Sequence, residues 1–261
     1  MAERSVIVRT AHYIWGGWGA ISVLLVALAA WEWAAGFQSE LILPSPLDVM
    51  AHLSQLLADP EAWRTIGITA RRALLGFGLA WVVGGGLGLL AGRTITGAVI
   101  SRPLISVLLG TPPIAWLVLA LLWLGSGDGS PVFTVFIACL PVLFLQCMQG
   151  SRTLSLQYHD LAHNFELNAR QRWVEINLPH ILSYVLPATI TALGVAWKVV
   201  VMAELLASDE GVGAMLAVSR SWLDTTGALA WILTTVGLLL LTEYLFLEPI
   251  KRHIERWQVR E

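Results

Sequence analysis

In a strongly apolar chain, ionisable side chains inside lipid-soluble segments are the first place to look for chemistry. Each is costly there unless it is paired or wetted. Two of them share the segment AWKVVVMAELLA (196–207), Lys198 and Glu204. On a helix they would lie about 9 Å apart along the axis and roughly 120° apart around it, so they are not a neighbouring i, i+4 pair. Each is expected to meet a partner on another helix, on a second subunit, or in water within a passage. The competing reading puts Glu204 near the interface with Lys198 snorkelling outward. Glu243, in the last apolar run, has no evident partner, and a structural hydrogen bond is expected for it. Pro112-Pro113, followed by Trp116, breaks the backbone at membrane depth. Irregular backbone is tolerated there only where it is buried in protein or lines a water-filled cavity. Pro112, Pro113, Trp116, Lys198 and Glu204 are therefore the candidates for a translocation pathway or gate.

Other chemistries find less support. His159 and His163 form an i, i+4 pair that could bind a metal, but no third ligand is evident and a solvated loop face is the simpler reading. No HExxH motif occurs. Ser126 and Asp128 fall in the glycine-rich GSGDGS, which reads as a tight turn between spans. Cys139 and Cys147 would stand roughly 12 Å apart on one helix, beyond disulfide reach, and read as packing residues. Gly84-Gly85-Gly86 and Gly88 have no strand before them. They are expected to allow close helix packing and not to cradle a phosphate.

The elements that must position these residues follow from composition. The 261 residues are 56% hydrophobic and only 13% charged, with a mean hydropathy of +0.70. A soluble domain carries about 25% charged residues, so the class is an all-α polytopic membrane protein. No basic cluster stands clear of the membrane flanks, which argues against a nucleic-acid partner. Apolar runs predict about six spans in one transmembrane domain, at roughly 14–35, 72–92, 98–124, 131–149, 181–206 and 228–250. The first is long for a signal core and ends in Trp31-Glu32-Trp33, an interfacial anchor. The third is expected to kink or break at its prolines. Between the first two spans, LILPSPLDVM (41–50) predicts an extended turn at Ser45 and then a short amphipathic helix over about Leu47–Leu57.

With the N-terminus inside, 11 of the 16 Lys+Arg residues fall on inner segments and four on outer ones. This bias places both termini and the stretch 150–180 on the cytoplasmic side. Nothing in the chain is large enough to form a nucleotide-binding fold.

The polar stretch 150–180 contains DLAHNFELNARQRWVEINLP (160–179). Its apolar residues at helical spacing predict two short helices, broken near Asn164–Asn168, that offer a compact surface to a partner. The stretch resembles the EAA motif of importer-type ABC transporter permeases, which reads Glu-Ala-Ala, three residues, Gly, nine residues, Ile-x-Leu-Pro. Ile176, Leu178 and Pro179 match its end. Asp160 then falls on the Glu, Leu161 and Ala162 on the two Ala, and Glu166 on the Gly. LPSPLDVM (43–50), TARRALLGFGLA (69–80), TPPIAWLVLALLWLGSGD (111–128), AWKVVVMAELLA (196–207) and GVGAML (211–216) sharpen the resemblance to the nitrate/sulfonate/taurine type.

The resemblance implies a homodimeric permease of the bacterial inner membrane. Two ATP-binding subunits would hold ATP and Mg outside this chain, which itself carries no cofactor. A periplasmic or lipoprotein substrate-binding protein would deliver a small solute such as a nitrate-, sulfonate- or taurine-like anion. It also implies a coupling helix, carried over here to Asp160, Ala162, Phe165, Glu166, Leu167, Asn168, Ala169, Leu178 and Pro179. Glu166 departs from the pattern, because a side chain makes positive φ costly. The turn is therefore expected to shift to Asn168, which tolerates that conformation, with contact to the ATPase retained. The alternatives are a stand-alone secondary transporter, which the lack of an inverted repeat argues against, or an intramembrane enzyme, for which no nucleophile–base set exists.

Overall fold

The computed structural model describes residue 19 and residues 21–153 and 165–244. Among them the regular elements are nine helices: α1 Ile21–Ala35, α2 Pro46–Ala58, α3 Pro60–Gly92, α4 Ile95–Gly110, α5 Pro113–Leu124, α6 Gly129–Arg152, α7 Ala169–Ala207, α8 Val212–Ser221 and α9 Thr225–Thr242. Four (α3, α6, α7 and α9) are long and apolar enough to cross a membrane, or five if the bent pair α4–α5 counts as one span. The first expected span appears as the shorter apolar helix α1. The end of the sixth, beyond Tyr244, lies outside the described residues.

Local sequence explains most helix ends. Ser45, extended between two prolines, caps α2 by accepting from Asp48 N–H. Asp59 does the same for Glu61 N–H, with Pro60 at the first helical position, so α3 starts twelve residues before the expected span. Residues 37–71, expected as a half-polar connection, are therefore largely helix. Asp59, Pro60 and Glu61 together are a helix-start signal that the hydropathy pattern passes over.

The prolines divide into two kinds. Pro103, Pro141 and Pro187 sit inside continuous helices. Pro112-Pro113 instead separates α4 from α5, with a bend of 92°. Thr111 is held extended (φ −86°, ψ 122°), as a residue before proline prefers, and two consecutive residues without N–H cannot continue the ladder.

The core centres on α6, which packs against α3 on one side and α7 on the other. Ala73, Val135, Cys139, Leu143, Ala192 and Trp197 are among its buried members. Cys139 Sγ donates to Ala192 O at 3.2 Å, which ties α6 to α7. Helices α3 and α6 touch backbone to backbone. A Cβ added at Gly76 or Gly84 would come within 2.7 Å of Val132 O or 2.8 Å of Leu140 O, and one at Gly88 or Gly92 would collide with Phe144 O or Met148 O. Every one of these pairs is 56 residues apart in sequence, so the two helices run parallel in constant register. Gly84, Gly88 and Gly92 form a GxxxGxxxG stripe. A strict four-residue repeat drifts around an α-helix of 3.6 residues per turn. The π-helical turn Trp81–Gly85 widens the local period and helps keep the stripe on α6.

The faces turned away from α6 are apolar and open. Leu75, Leu79 and Val82 on α3, Ile100 and Leu104 on α4, and Leu122 on α5 are all exposed. This is the surface of a chain whose apolar groups face lipid or another subunit.

Candidate functional site

The chemistry-bearing residues collect at the two ends of the α3–α6–α7 layer. At one end, Arg72 on α3 is 2% exposed and densely partnered. Nε donates to Asp128 Oδ1 at 2.7 Å, and Nη2 lies 2.6 Å from the same oxygen as an ion pair. Nη1 donates to Glu204 Oε1 at 2.9 Å, Ser208 Oγ at 3.1 Å and Glu210 O at 2.7 Å. Asp128 also pairs with Arg71.

Glu204, on the last turns of α7, is fully buried. Its Oε2 accepts from Thr69 Oγ1 at 2.8 Å and from Gly213 N–H at 3.1 Å. Thr69 Oγ1 in turn accepts from Val212 N–H at 2.8 Å. The carboxylate therefore meets the start of α8, where free N–H groups favour an anion. Gly211 makes the approach possible. Its φ is +103°, and a Cβ there would run into the Glu204 carboxylate. The cluster ties α3, the turn before α6, α7 and α8 into a charge-balanced clamp. A cleft of about 300 Å³ beside it is lined by Asp128, Asp209 and Glu210.

Lys198 and Glu204 meet different fates. Glu204 finds its partner on another helix, as expected. It is fully buried and held in the clamp by Arg72 and Thr69. Lys198 is exposed on α7, and no carboxylate lies within ion-pair distance of it among the described residues. Pro112 and Pro113 form the α4–α5 break. Trp116, one turn into α5, has its Nε1 buried with no hydrogen-bond acceptor among the described residues. Glu243 is half-buried.

At the opposite end lies the segment that enters α7. Asp160, Ala162, His159 and His163 fall outside the described residues. Phe165 and Glu166 form a turn, and Glu166 itself holds φ +49°. The expected shift of the turn to Asn168 is therefore corrected: the left-handed residue occupies the place of the motif glycine even though it carries a side chain. Asn168 is extended (φ −69°, ψ 164°) and takes another task. Its side chain accepts from Gln171 N–H at 2.8 Å while Gln171 Oε1 accepts from Asn168 N–H at 3.0 Å, a reciprocal capping box that starts α7 at Ala169. Phe165 is 70% exposed, Leu167 is half-buried, and Glu166, Asn168, Ala169, Leu178 and Pro179 are exposed.

Within α7 the turn Trp173–Asn177 is π-helical, and Leu178 N–H donates to Trp173 O. Pro179 supplies a reason. It has no N–H, and its ring would press on the carbonyl four residues back in a regular helix, a clash that a wider turn relieves.

Beside this segment is a cleft of about 500 Å³ between the ends of α3, α6 and α7 and the start of α4. Arg93, Arg152, Arg172 and Trp173 are on its lining. Arg72, Thr69 and this cleft were not legible as a site from sequence, and Asp128 read only as part of a tight turn. An Arg71-Arg72 pair at the edge of an apolar run, with Asp128 in an outer turn and an unpaired Glu204 at the same depth, was the available signal.

Comparison with known proteins places these features in context. Residues 84–258 match the model of the family described as "Binding-protein-dependent transport system inner membrane component". The chain is 28% identical to the taurine transport system permease protein TauC of Escherichia coli over 244 residues, covering 91% of this chain and 88% of that one. It is 26% identical to the putative aliphatic sulfonates transport permease protein SsuC of Bacillus subtilis over 235 residues, covering 89% and 85%. It is 28% identical to the nitrate import permease protein NrtB of Synechocystis over 203 residues, covering 74% and 72%. With apolar helices of spanning length, a proline-broken span and this matched region, the chain belongs to the binding-protein-dependent transport inner membrane component family and is the transmembrane permease subunit of an ABC importer.

Proposed function

We propose that two copies of this chain form the translocation pathway for a small anion of the sulfonate, taurine or nitrate class in the bacterial inner membrane. The relatives' printed substrates support that class. Both termini and the segment around 160–179 face the cytoplasm, where Lys and Arg are concentrated. Each copy docks one ATP-binding subunit, which holds ATP and Mg. A soluble or lipid-tethered binding protein delivers substrate to the Arg72 end. The pathway runs past Lys198 and the Pro112, Pro113 and Trp116 break. An unpaired exposed cation on α7 suits an anionic cargo, and the exposed apolar faces of α4 and α5 suit a second copy and lipid.

The observation that carries the docking assignment is the exposed turn at Phe165–Glu166, directly before the Asn168–Gln171 box that starts α7. A large apolar side chain on an exposed turn suits insertion into a cleft on a partner. Closure of the ATPase pair would then swing the permease halves as rigid bodies. Glu166→Lys with Ala169→Arg places two cations on this surface. The expected result is loss of ATPase co-purification and at least a tenfold fall in substrate-stimulated ATP hydrolysis in proteoliposomes, with permease yield unchanged. Unchanged co-purification and hydrolysis would remove the docking assignment.

A further inference from the structure

The arginine-lined cleft contrasts with the paired arginines along the first half of α3. Arg71 and Arg72 are paired with Asp128, and Arg64 is paired with Glu61. Arg93 and Arg152 are exposed, and no carboxylate lies within 4 Å of either among the described residues. They share one wall system with Arg172, and none of the described lining residues is acidic. Arg93 and Arg152, facing one concavity of about 500 Å³, repel each other unless an anion sits between them. Thr94 and Ile95, which begin the 16-residue helix α4, complete the lining and add a dipole of the same sign.

The location narrows the anion's identity. The cleft sits where three candidate spans end, at Gly92 of α3, at Arg152 of α6 and near the start of α7. At its rim the surface turns apolar. Ile95 is 76% exposed, and Val99, Ile100 and Leu104 continue as an open stripe along α4. Trp173, half in and half out of the cleft, is the amphipathic ring favoured at a bilayer boundary. A basic pocket opening onto an apolar groove at the end of membrane helices fits a ligand with a phosphate head and hydrocarbon tails.

We propose that the cleft bounded by Arg93, Arg152 and Arg172 binds the phosphate head of an anionic phospholipid, with the acyl chains lying along α4. The lipid bridges the α3–α4 junction, the end of α6 and the entry to α7. It therefore braces the segment that carries Phe165 and Glu166 against the membrane.

Full-length protein in vesicles of phosphatidylcholine doped with phosphatidylglycerol tests this. Bound lipid is counted by native mass spectrometry after extraction, for the unaltered chain, for Arg152→Gln, and for Arg93→Gln/Arg152→Gln. Arg220→Gln, an exposed arginine outside the cleft, serves as control. Phosphatidylglycerol retention is expected to fall about 30-fold in the double variant, equivalent to roughly 1 kcal/mol for each of two cations at an anionic surface. Retention should fall by an intermediate amount in Arg152→Gln and stay unchanged in Arg220→Gln. Added phosphatidylglycerol should also raise the melting temperature of the unaltered chain and not that of the double variant.

Equal retention of phosphatidylcholine and phosphatidylglycerol, or no loss in either cleft variant, overturns the proposal. Inorganic phosphate that displaces phosphatidylglycerol and stabilises the chain equally in pure phosphatidylcholine assigns the site to a free anion instead. Loss of ATPase co-purification in the double variant with lipid retention intact makes the cleft a protein-docking surface, and it too overturns the lipid assignment.

Discussion

Arg72 and Arg152 occupy opposite ends of one pair of parallel helices and have opposite surroundings. Arg72 is sealed among Glu204, Asp128, Ser208 and Glu210 O. Arg152 stands exposed at a concavity shared with Arg93 and Arg172, with no acid among its described lining residues. Desolvation accounts for the difference in build. A buried guanidinium is tolerable only when its charge and donors are all met, so the clamp had to be completed from within the chain. An exposed arginine is stabilised by water and can keep its charge for something that is not part of the chain. The clamp is thus a structural device, and the open arginine cleft is available for recognition.

The comparison breaks most readily at the clamp. Glu204→Leu leaves Arg72 buried beside a half-exposed Asp128 as its only remaining carboxylate, and is expected to cost about 3–5 kcal/mol. The check is a melting curve on detergent-solubilised protein. Arg72→Met with Glu204→Leu should recover much of the loss, because no uncompensated buried charge remains. A double variant melting no higher than the single would show that the two residues are not one unit. A somewhat smaller loss is expected from Gly88→Leu, which forces α3 off α6 at Phe144 O. Overpacking of this kind costs about 1–3 kcal/mol or more, seen as a lower yield of monodisperse protein. Gly86→Leu is its control, since a Cβ there meets nothing within 4 Å. The smallest effect belongs to the cleft. In detergent free of anionic lipid, Arg152→Gln should change stability by no more than about 0.5 kcal/mol, and a larger drop would mean that Arg152 is already engaged within the chain.

The two ends also differ in how far they can be read from sequence. The GxxxGxxxG stripe, the Pro112-Pro113 break and the α2 cap at Ser45 are local patterns, and each appears in the structure as its local physics dictates. The clamp joins residues 56 and 132 positions apart. Such a pairing follows only from the register of α3 against α6 and α7, so an unpaired Glu204 could be flagged but not matched. Glu166 failed in the other direction. A rule about backbone strain pointed to Asn168, but Asn168 was needed as a helix cap. The capping box outweighed the cost of a left-handed residue, of order 1–2 kcal/mol.

The constant 56-residue register between α3 and α6 has a mechanical consequence. Arg72 and Arg93 are joined by about 30 Å of unbroken helix, and Asp128 and Arg152 by a rod of similar length running in the same direction. Glycine backbone seated on α6 carbonyls at Gly76, Gly84, Gly88 and Gly92 holds these two rods in one register along their length. They behave as a single stiff beam, with a latch at one end and a basic socket at the other. A tilt imposed near the socket must therefore reach the latch undiminished, and an opening of the latch must move the socket by a comparable angle.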